Sequence, residues 1–495
     1  MRRELIGLAL AIALVGPAAA QAPKETLSVD LASDAATLDP HVQWDTDSYS
    51  IYRNIFDNLL TRDAAGAIVP QIASSWRYLD DNTIDFAIRG DVRFQDGSPL
   101  TVDDVVFSVR RITDPAFKSP QLSQFNSIVS AEPLDRTTVR LKTKEPYPAL
   151  LAQLVKLSIV PQAYVEKVGN ERFNQAPIGS GPYRLVSWQK GVRATLEAVP
   201  DYWRGTPPFK LVTFQPVPDA ATRIADLRTG KADIARGLNP DDAADIAGDG
   251  KLQLLAVPTE RIGYLFINAL AGPTRDVRVR QAIAYAIDRK LIIDALLGGY
   301  GRPVDIVLTP ANFGFLADVK GYPHDPAKAQ ALIKAAGAEG AELTFITSPV
   351  YDQRIVQAIQ QMLGEVGLKV VIAMSDQPTF LRRRQGAPAD AGSLSIGRWS
   401  CACQDADGVI FPLFHSSSFW AKYANPAYDE TVEQARRTLD ETTRLAWYRK
   451  AFDILRADVP GIGLYQDVAL YGARKELRWT PTADEAFFVF AMRWQ

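Results

Sequence analysis

The chain has 495 residues, of which 47% are hydrophobic and 23% are charged, and its formal net charge at pH 7 is −2. The charges form no basic stripe of the kind that a nucleic-acid-binding protein uses to contact phosphates, so we expect no nucleic-acid partner. The length exceeds what one compact hydrophobic core supports, and we therefore expect two or three domains.

The N-terminus has the pattern of a secretory signal peptide. Arg2 and Arg3 precede an apolar run over residues 5–15, and Ala18-Ala19-Ala20 offers the small residues that signal peptidase reads. We place the cleavage after Ala20, because the alternative site after Ala22 leaves a proline next to the cut. The apolar run is much shorter than the ~20 residues that span a bilayer. We therefore expect residues 1–20 to be removed and the mature protein to be soluble and located in the periplasm.

Strand and helix patterns alternate along the rest of the chain. Apolar residues with strand alternation predict strands over residues 27–31, 83–89 and 139–141, the second continuing through Val92 and Phe94 as a pair of strands with a turn. A capping box at Thr101 to Asp104 predicts the start of a helix. Helical spacing predicts further helices from Val277, over 354–363 and over 430–455. The sequence therefore predicts an α/β fold whose domains are joined by more than one crossing of the chain.

The cysteines and histidines do not indicate a metal site. Cys401 and Cys403 are the only cysteines, and an oxidising compartment permits a disulfide between them. Two buried thiols beside a loop are the alternative, and the sequence leaves both open. His41, His324 and His415 lie far apart and fit no metal-ligand spacing, so we expect neither a metal nor a cofactor.

No catalytic motif in the sequence is complete. Gly179-Ser180-Gly181 lacks the spacing of a nucleophile elbow, and no phosphate-binding loop is present. Ser187-Trp188-Gln189-Lys190 matches the S-x-x-K motif of penicillin-recognising enzymes, but the motifs that accompany it there are missing. We therefore expect a protein that is not an enzyme.

Five strings of residues occur in a characteristic order through nearly the whole chain after the signal peptide. They are Trp76 to Ser108 (with Arg89-Gly90-Asp91-Val92-Arg93-Phe94 and Asp104-Val105-Val106-Phe107-Ser108), Pro177 to Tyr183, Asp276 to Arg289, Asp325 to Ala329, and Asp458 to Ile462. The chain thereby resembles the extracytoplasmic solute-binding proteins of family 5, which serve ABC importers of dipeptides, oligopeptides and nickel.

This resemblance implies a two-lobe periplasmic-binding-protein fold of type II, in its large dipeptide- and oligopeptide-binding class, with an extra domain inserted in the first lobe. The implied ranges are 21–55, 179–261 and 468–495 for lobe I, 56–178 for the extra domain and 262–467 for lobe II. The chain is expected to cross between the lobes near 257–261 and 467–471.

The resemblance also implies a function. The protein would capture a small solute between its lobes by hinge closure, as a monomer, and deliver it to the permease subunits of an ABC transporter, whose ATPase acts indirectly. A peptide-like solute or an amino-acid conjugate is favoured. A binding protein that reports its ligand to a chemoreceptor or signalling partner is the alternative, and an exported hydrolase is a more distant one.

The ligand-contacting residues are carried over from peptide-binding relatives. Arg354 stands where such relatives place the arginine that pairs with the ligand carboxylate, although an ordinary surface arginine is the alternative. Trp399 matches a tryptophan that precedes an ammonium-binding aspartate by three positions, but Ala402 stands at that place here. Asp405 and Asp407 are substitute candidates that also fit a turn. Trp399 itself fits either ligand stacking or core packing, and Trp44 and Asp45 are expected at the pocket entrance.

Overall fold

The structure, a computed structural model, describes residues 24–42, 45–63, 65–401 and 403–495. The predicted signal peptide, residues 1–20, lies outside the described residues. Within those residues no helix combines the length and the apolarity needed to cross a membrane.

Two long antiparallel strands, Leu252–Ile267 and Gly461–Arg474, run through both halves of the molecule, and we call them the crossing strands. Their pairing register shifts between Pro258 and Ile262, opposite Val468 and Gln466. The crossings that we predicted near 257–261 and 467–471 fall on or beside this shift. A second shift follows between Gly263 and Tyr264, so the pairing is irregular where the sheet passes from one lobe to the other.

The sheet built on the crossing strands has eleven strands among the described residues. On the lobe II side these are Lys369–Met374, Glu342–Thr347 and Leu394–Trp399, with Gly301–Pro303 pairing the second crossing strand. On the lobe I side they are Ile234–Arg236, Thr26–Leu31, Leu211–Pro216, Arg193–Ala198 and Tyr183–Gln189. Parallel pairs, such as Thr26–Leu31 with Leu211–Pro216, lie beside antiparallel ones, so the sheet is mixed.

The described helices cover the faces and ends of this sheet, except Val102–Thr113, Leu122–Phe125 and Leu150–Leu154, which pack in the extra domain. The α-helices are Thr46–Tyr52, Val102–Thr113, Leu122–Phe125, Leu150–Leu154, Gln162–Gln175 (interrupted at Gly169), Ala220–Thr229, Ala243–Ala247, Val277–Ala286, Arg289–Leu291, Pro326–Ala336, Gln353–Glu365, Gln377–Gln385, Asp407–Phe414, Pro426–Arg437 and Glu441–Asp458. Shorter turns are the 3₁₀-helices Pro240–Asp242, Pro273–Arg275 and Val489–Ala491 and the π-helix Ile292–Leu296.

Separate hydrophobic cores define the lobes. Lobe II has one core on each face of its sheet. The core of lobe I combines the first strand with the C-terminal tail, since Leu27 and Val29 share it with Phe487, Val489 and Met492. Two short strands, Leu477–Arg478 and Arg493–Trp494, pair within that tail.

The extra domain has a core of its own, formed by residues between Leu59 and Ile159. Its four-stranded sheet has the order Ala73–Asp80, Thr83–Ile88, Thr138–Thr143 and Ile128–Pro133, and Leu60–Arg62 pairs with Ile68–Pro70 beside it. Our predicted range of 56–178 also contains the helix Gln162–Gln175, whose buried Val165 and Phe173 pack in the core of lobe I.

The junction between lobe I and the extra domain explains the string Pro177 to Tyr183. A Cβ atom at Gly179 would lie 2.1 Å from the carbonyl oxygen of Ile55, so only glycine fits there. Beside it, the buried carboxylate of Asp57 accepts hydrogen bonds from Gln71 (2.7 Å), Ser180 (3.1 Å), Tyr202 (2.8 Å) and Trp203 (2.8 Å). The string therefore helps to hold lobe I against the extra domain.

Most of the predicted elements are confirmed. The capping box is present, with Thr101 and Asp104 bonded to each other at the start of Val102–Thr113. The prediction of one helix over 430–455 is wrong, because Asp440 caps a new helix by accepting from the Thr443 amide (2.8 Å). The strand predicted through Val92 and Phe94 is also wrong: both side chains are buried, but the segment forms only an isolated bridge at Arg93.

Candidate ligand-binding site

Cavities of three sizes lie where the lobes and the extra domain face one another. The inner pocket, of about 20 Å³, is lined by residues of lobe I, the extra domain and lobe II, among them Tyr49, Lys156 and Gln404. The outer cavity, of about 760 Å³, lies between the extra domain and lobe II. The strand-side cleft, of about 260 Å³, follows the crossing strands. Ligand pockets form preferentially at such domain interfaces.

The inner pocket has one complete ion pair in its wall. Arg53, which follows the helix Thr46–Tyr52, donates to the Asp484 carboxylate in the C-terminal tail (2.9 Å). The same guanidinium lies over the rings of Tyr49 (5.4 Å) and Phe488 (5.1 Å). These contacts hold the arginine in one orientation, so this wall is rigid before any ligand arrives.

Two further cations, Arg62 and Lys156, line the inner pocket, and the carboxylate of Glu260 lies within electrostatic reach of them without lining it. Arg62 lies at the end of strand Leu60–Arg62, Lys156 follows the helix Leu150–Leu154, and Glu260 lies at the register shift of the crossing strands. Burial lowers the pKa of Lys156 to about 8. Burial, with the negative charge of Asp484 as the next contribution, raises the pKa of Glu260 to about 8. Each charge is therefore poorly solvated where it lies.

A chain of alternating charges reaches the strand-side cleft at Glu485, which lines it. Arg236 forms ion pairs with Asp47 and with Glu485 (3.4 Å), and Glu485 also pairs with Arg261 (3.3 Å). On the lobe II side of the cleft, the Arg398 Nε donates to Asp467 (2.8 Å). The cleft wall is thus polar, but most of its charges are paired.

The outer cavity has a different character. Ile68, Leu151, Phe313 and Leu439 contribute apolar surface to its wall, and Arg62 and Gln404 line both this cavity and the inner pocket. The two cavities are therefore neighbours that share a wall.

Arg354 lies at the rim and not in the inner pocket. It stands in the first turn of helix Gln353–Glu365, where its guanidinium donates to the Asp352 carboxylate (2.7 Å) and approaches Asp241 of lobe I (3.8 Å). Its side chain is 52% exposed. In this arrangement the guanidinium already has a carboxylate partner, and the position bridges the two lobes.

Asp405 and Asp407 are both engaged within lobe II. Arg444 donates two hydrogen bonds of 2.7 Å to Asp405, whose side chain is 3% exposed. Arg436 pairs with Asp407 (2.8 Å). Since these arginines already neutralise both carboxylates, the structure does not offer either of them to a ligand ammonium.

The remaining predicted contacts have structural partners as well. Trp399 ends strand Leu394–Trp399, donates its Nε1 hydrogen to the Gly408 carbonyl (3.0 Å) and packs edge-on against Trp420. Asp45 caps helix Thr46–Tyr52 through the amides of Asp47 and Ser48. Trp44 lies outside the described residues.

Cys401 and Cys403 are joined by a disulfide. The following residue, Gln404, has a left-handed backbone conformation (φ 51°) and lines the inner pocket. The Cys403 carbonyl accepts a hydrogen bond from Nη2 of Arg62 (2.7 Å). The cross-linked loop therefore carries a contact between lobe II and the extra domain.

The sequence analysis did not predict the charged residues at or near the inner pocket, which are Arg53, Arg62, Lys156, Glu260 and Asp484. Their sequence separations are long, and no local motif joins them. One weak signal was present: Lys156 lies within the apolar run from Leu150 to Val160, where a lone charge needs a buried partner.

Comparison with known proteins identifies the family. Residues 67–442 match the family described as "Bacterial extracellular solute-binding proteins, family 5 Middle". The chain belongs to this family. The family-5 strings noted in the sequence are thereby accounted for, and the two-lobe fold with its interlobe cavities is that of a solute-binding protein.

Named proteins that match nearly the full length of this chain support its assignment to the family. The glutathione-binding protein GsiB of Shigella boydii is 29% identical over 491 residues, which cover 96% of this chain and 95% of that protein. The substrate-binding protein CtaP of Listeria monocytogenes superposes with a TM-score of 0.88 at 24% identity, covering 95% and 99% of the two chains.

A third relative was solved with a ligand. DppA from Helicobacter pylori, in complex with the peptide STSA, superposes with a TM-score of 0.80 at 23% identity, covering 95% of this chain and 98% of that one. At this level of identity the likeness shows the fold.

Proposed function

We propose that this chain is the periplasmic substrate-binding subunit of an ABC importer, and that it captures a peptide-like solute or an amino-acid conjugate. The observation that carries the proposal is the inner pocket, where the charged side chains of Arg53 and Asp484 from lobe I and of Arg62 and Lys156 from the extra domain, with Gln404 from lobe II, surround one small space. A solute with both an anionic and a cationic group is the complement of such a wall.

Capture follows from the two-lobe arrangement. A ligand that contacts both lobes binds the closed form more tightly than the open form, so it shifts the open–closed equilibrium by that difference in affinity. The closed form then docks on the permease subunits, and ATP is hydrolysed elsewhere in the transporter. The names of the relatives, which refer to glutathione and to a bound peptide, agree with this solute class.

The structure changes which residues we propose as ligand contacts. Arg53 and Asp484, with Arg62 and Lys156, form the inner site. Arg354 remains a proposed contact at the rim, where a long ligand that extends out of the cleft would reach it. We do not propose Asp405 or Asp407 as contacts, because Arg444 and Arg436 hold them.

The test is to isolate the protein from the periplasm, denature it and identify any released compound by mass spectrometry. The proposal expects a peptide or a compound with an amino-acid portion, which rebinds to the refolded protein in calorimetry. The substitution Asp484→Asn should weaken rebinding at least about 10-fold, since it leaves the buried Arg53 without its counter-charge. The substitution Glu197→Asn, at an exposed pair with Arg184 on an outer strand, is the control and should not change affinity. Release of a sugar, or of a solute without charged groups, would overturn the proposed solute class.

A further inference from the structure

The outer cavity has apolar walls that come from two different domains. Its larger apolar lining residues are Ile68, Tyr78, Pro148 and Leu151 of the extra domain and Phe313 and Leu439 of lobe II. Its volume of about 760 Å³ lies within the range of roughly 300–1,000 Å³ that ligand pockets have. An apolar cavity of about 150 Å³ already holds a benzene ring. The outer cavity therefore has room for a group larger than one ring.

Four of the five charged residues in the lining are bonded within the protein. Arg444 donates two hydrogen bonds of 2.7 Å to Asp405. Asp440 caps the helix Glu441–Asp458 by accepting from a backbone amide (2.8 Å). Both terminal nitrogens of Arg62 donate to backbone carbonyls, at 2.7 Å each. The fifth, Glu441, is exposed in the first turn of that helix. The lining thus offers apolar surface and engaged charges, which suit an uncharged group better than an ion.

The extra domain and lobe II touch at two places next to this cavity. At one place Arg62, which lines the cavity, donates to the Cys403 carbonyl of lobe II (2.7 Å). At the other, Arg437 of lobe II pairs with Glu145 of the extra domain (3.0 Å), near the lining residues Leu439 and Pro148 in the sequence. The cavity therefore stays open between two domains that are already in contact.

The position of the cavity favours a part of the captured solute as its occupant. Arg62 and Gln404 line both this cavity and the inner pocket, so one solute can contact both spaces. The two walls belong to domains that hinge closure brings together. A group that fills the cavity makes contacts with both domains at once, and such contacts favour the closed form over the open form.

We infer that the outer cavity receives a bulky apolar group of the captured solute. The group lies between the apolar residues of the extra domain and those of lobe II. This inference rests on the proposed function and narrows its solute class to compounds that carry a large aromatic or aliphatic portion.

The compound released from the denatured periplasmic protein tests the inference. Mass spectrometry should identify a compound with a large aromatic or aliphatic group besides its peptide-like or amino-acid portion. A peptide or conjugate with only small or polar groups would overturn the inference and leave the proposed function intact. A sugar would overturn both, so the two failures are distinguishable.

An uncharged fluorescent probe tests the cavity itself on the ligand-free, full-length protein. N-phenyl-1-naphthylamine is apolar, and its fluorescence rises when it leaves water. We expect saturable binding in the micromolar range. Failure of the probe to bind would refute the inference. If the probe bound in the cavity but the released compound had no apolar group, the cavity would have another occupant, and the inference would again be refuted.

Variants in the two walls locate the probe. Leu151→Gln in the extra domain and Leu439→Gln in lobe II should each weaken its binding at least about 5-fold, because a polar group replaces apolar surface that covers the probe. Leu79→Gln and Leu291→Gln make the same change in the same two domains at exposed leucines outside the lining, and they should leave binding unchanged. Thermal unfolding of all four variants checks that they fold. Equal effects of wall and control variants, or unchanged binding in both wall variants, would count against the inference.

Discussion

Single residues with buried charge are of two kinds in this protein. Asp57 and Asp405 have their oxygens occupied by several donors, and they hold one segment against another. Lys156 lines the inner pocket and Glu260 is buried near it; burial lowers the pKa of Lys156 to about 8 and raises that of Glu260 to about 8, which favours the neutral form of each. The first kind stabilises the fold, whereas the second kind is buried at a cost in stability.

The Asp57 carboxylate is expected to be essential for the junction between lobe I and the extra domain. The substitution Asp57→Ala leaves the donors of Gln71, Ser180, Tyr202 and Trp203 without their acceptor. We expect a loss of about 3 kcal/mol or more in the first unfolding transition in urea. Asp91→Ala, at an exposed side chain, is the control and should stay within about 0.5 kcal/mol of the unsubstituted protein.

Glu260 should make the stability of the ligand-free protein depend on pH. Its pKa in the fold is about 8, above the ordinary value of 4.5, so the folded state binds more protons than the unfolded state between these values. The contribution of Glu260 to stability is then fully present below pH 4.5 and is lost as the pH rises toward 8. Unfolding temperatures measured from pH 5 to pH 8 should show this fall, and Glu260→Gln should reduce it. Glu197→Gln should retain the slope; a slope unchanged in Glu260→Gln would refute the assignment.

The site residues were harder to predict than the family because their partners are remote in the chain. Asp405 looked available in its own neighbourhood, but Arg444 lies 39 residues further on. Glu260 is separated from Arg62 and Lys156 by long stretches of chain, and only the fold brings them together. Conversely, Arg354 was placed correctly at the start of a helix, but its pairing with Asp352 depends on a local side-chain conformation that the pattern does not specify.

Helices were predicted correctly from the sequence where residues within the helix determine where it forms. The capping box at Thr101 and the apolar spacing after Val277 each predicted a helix that is present. The stretch 430–455 kept helical spacing across a break, because two helices, Pro426–Arg437 and Glu441–Asp458, pack on the same core. Periodicity detects the shared core more readily than the short interruption.

In the loop that begins at Cys401, a disulfide constrains residues that contribute to the inner pocket. Replacing Cys401 and Cys403 by serine removes the cross-link from this loop. The loop positions the carbonyl of Cys403 against Arg62 and places Gln404 in the wall of the inner pocket. A disulfide closing so short a loop contributes only about 1–2 kcal/mol through chain entropy. We therefore expect affinity for the released ligand to fall by up to about 10-fold, measured by calorimetry, with little change in overall unfolding. Unchanged affinity would show that the loop keeps its position without the cross-link.

In the whole molecule, contacts from several segments join lobe II to lobe I and to the extra domain. Besides Arg62 with Cys403, the Arg354 side chain approaches Asp241 across the cleft, and Arg437 of lobe II pairs with Glu145 of the extra domain (3.0 Å). Both side chains of the last pair are about half exposed, at 51% and 53%. Exposed pairs of this kind contribute little individually to the free energy that holds the lobes together.

The pair Glu145 and Arg437 can be tested by a double-mutant cycle on ligand affinity. Glu145→Gln and Arg437→Gln should each weaken binding by at most about 5-fold, which corresponds to about 1 kcal/mol. The double variant should be no weaker than the poorer single variant if the two side chains act through each other. Fully additive losses would mean that each residue has a separate role.

The first lobe is built from both ends of the chain, and this has a consequence for the order in which the protein matures. Leu27 and Val29 are covered by Phe487, Val489 and Met492, and Asp484 and Glu485 complete the charged walls between the lobes. The ribosome makes the segment from Asp484 to Met492 after all of lobe II. Until this segment is available, the core that contains Leu27 and Val29 is unfinished, and the inner pocket lacks the wall formed by Asp484. We therefore expect a chain interrupted before Asp484 to lack binding capacity.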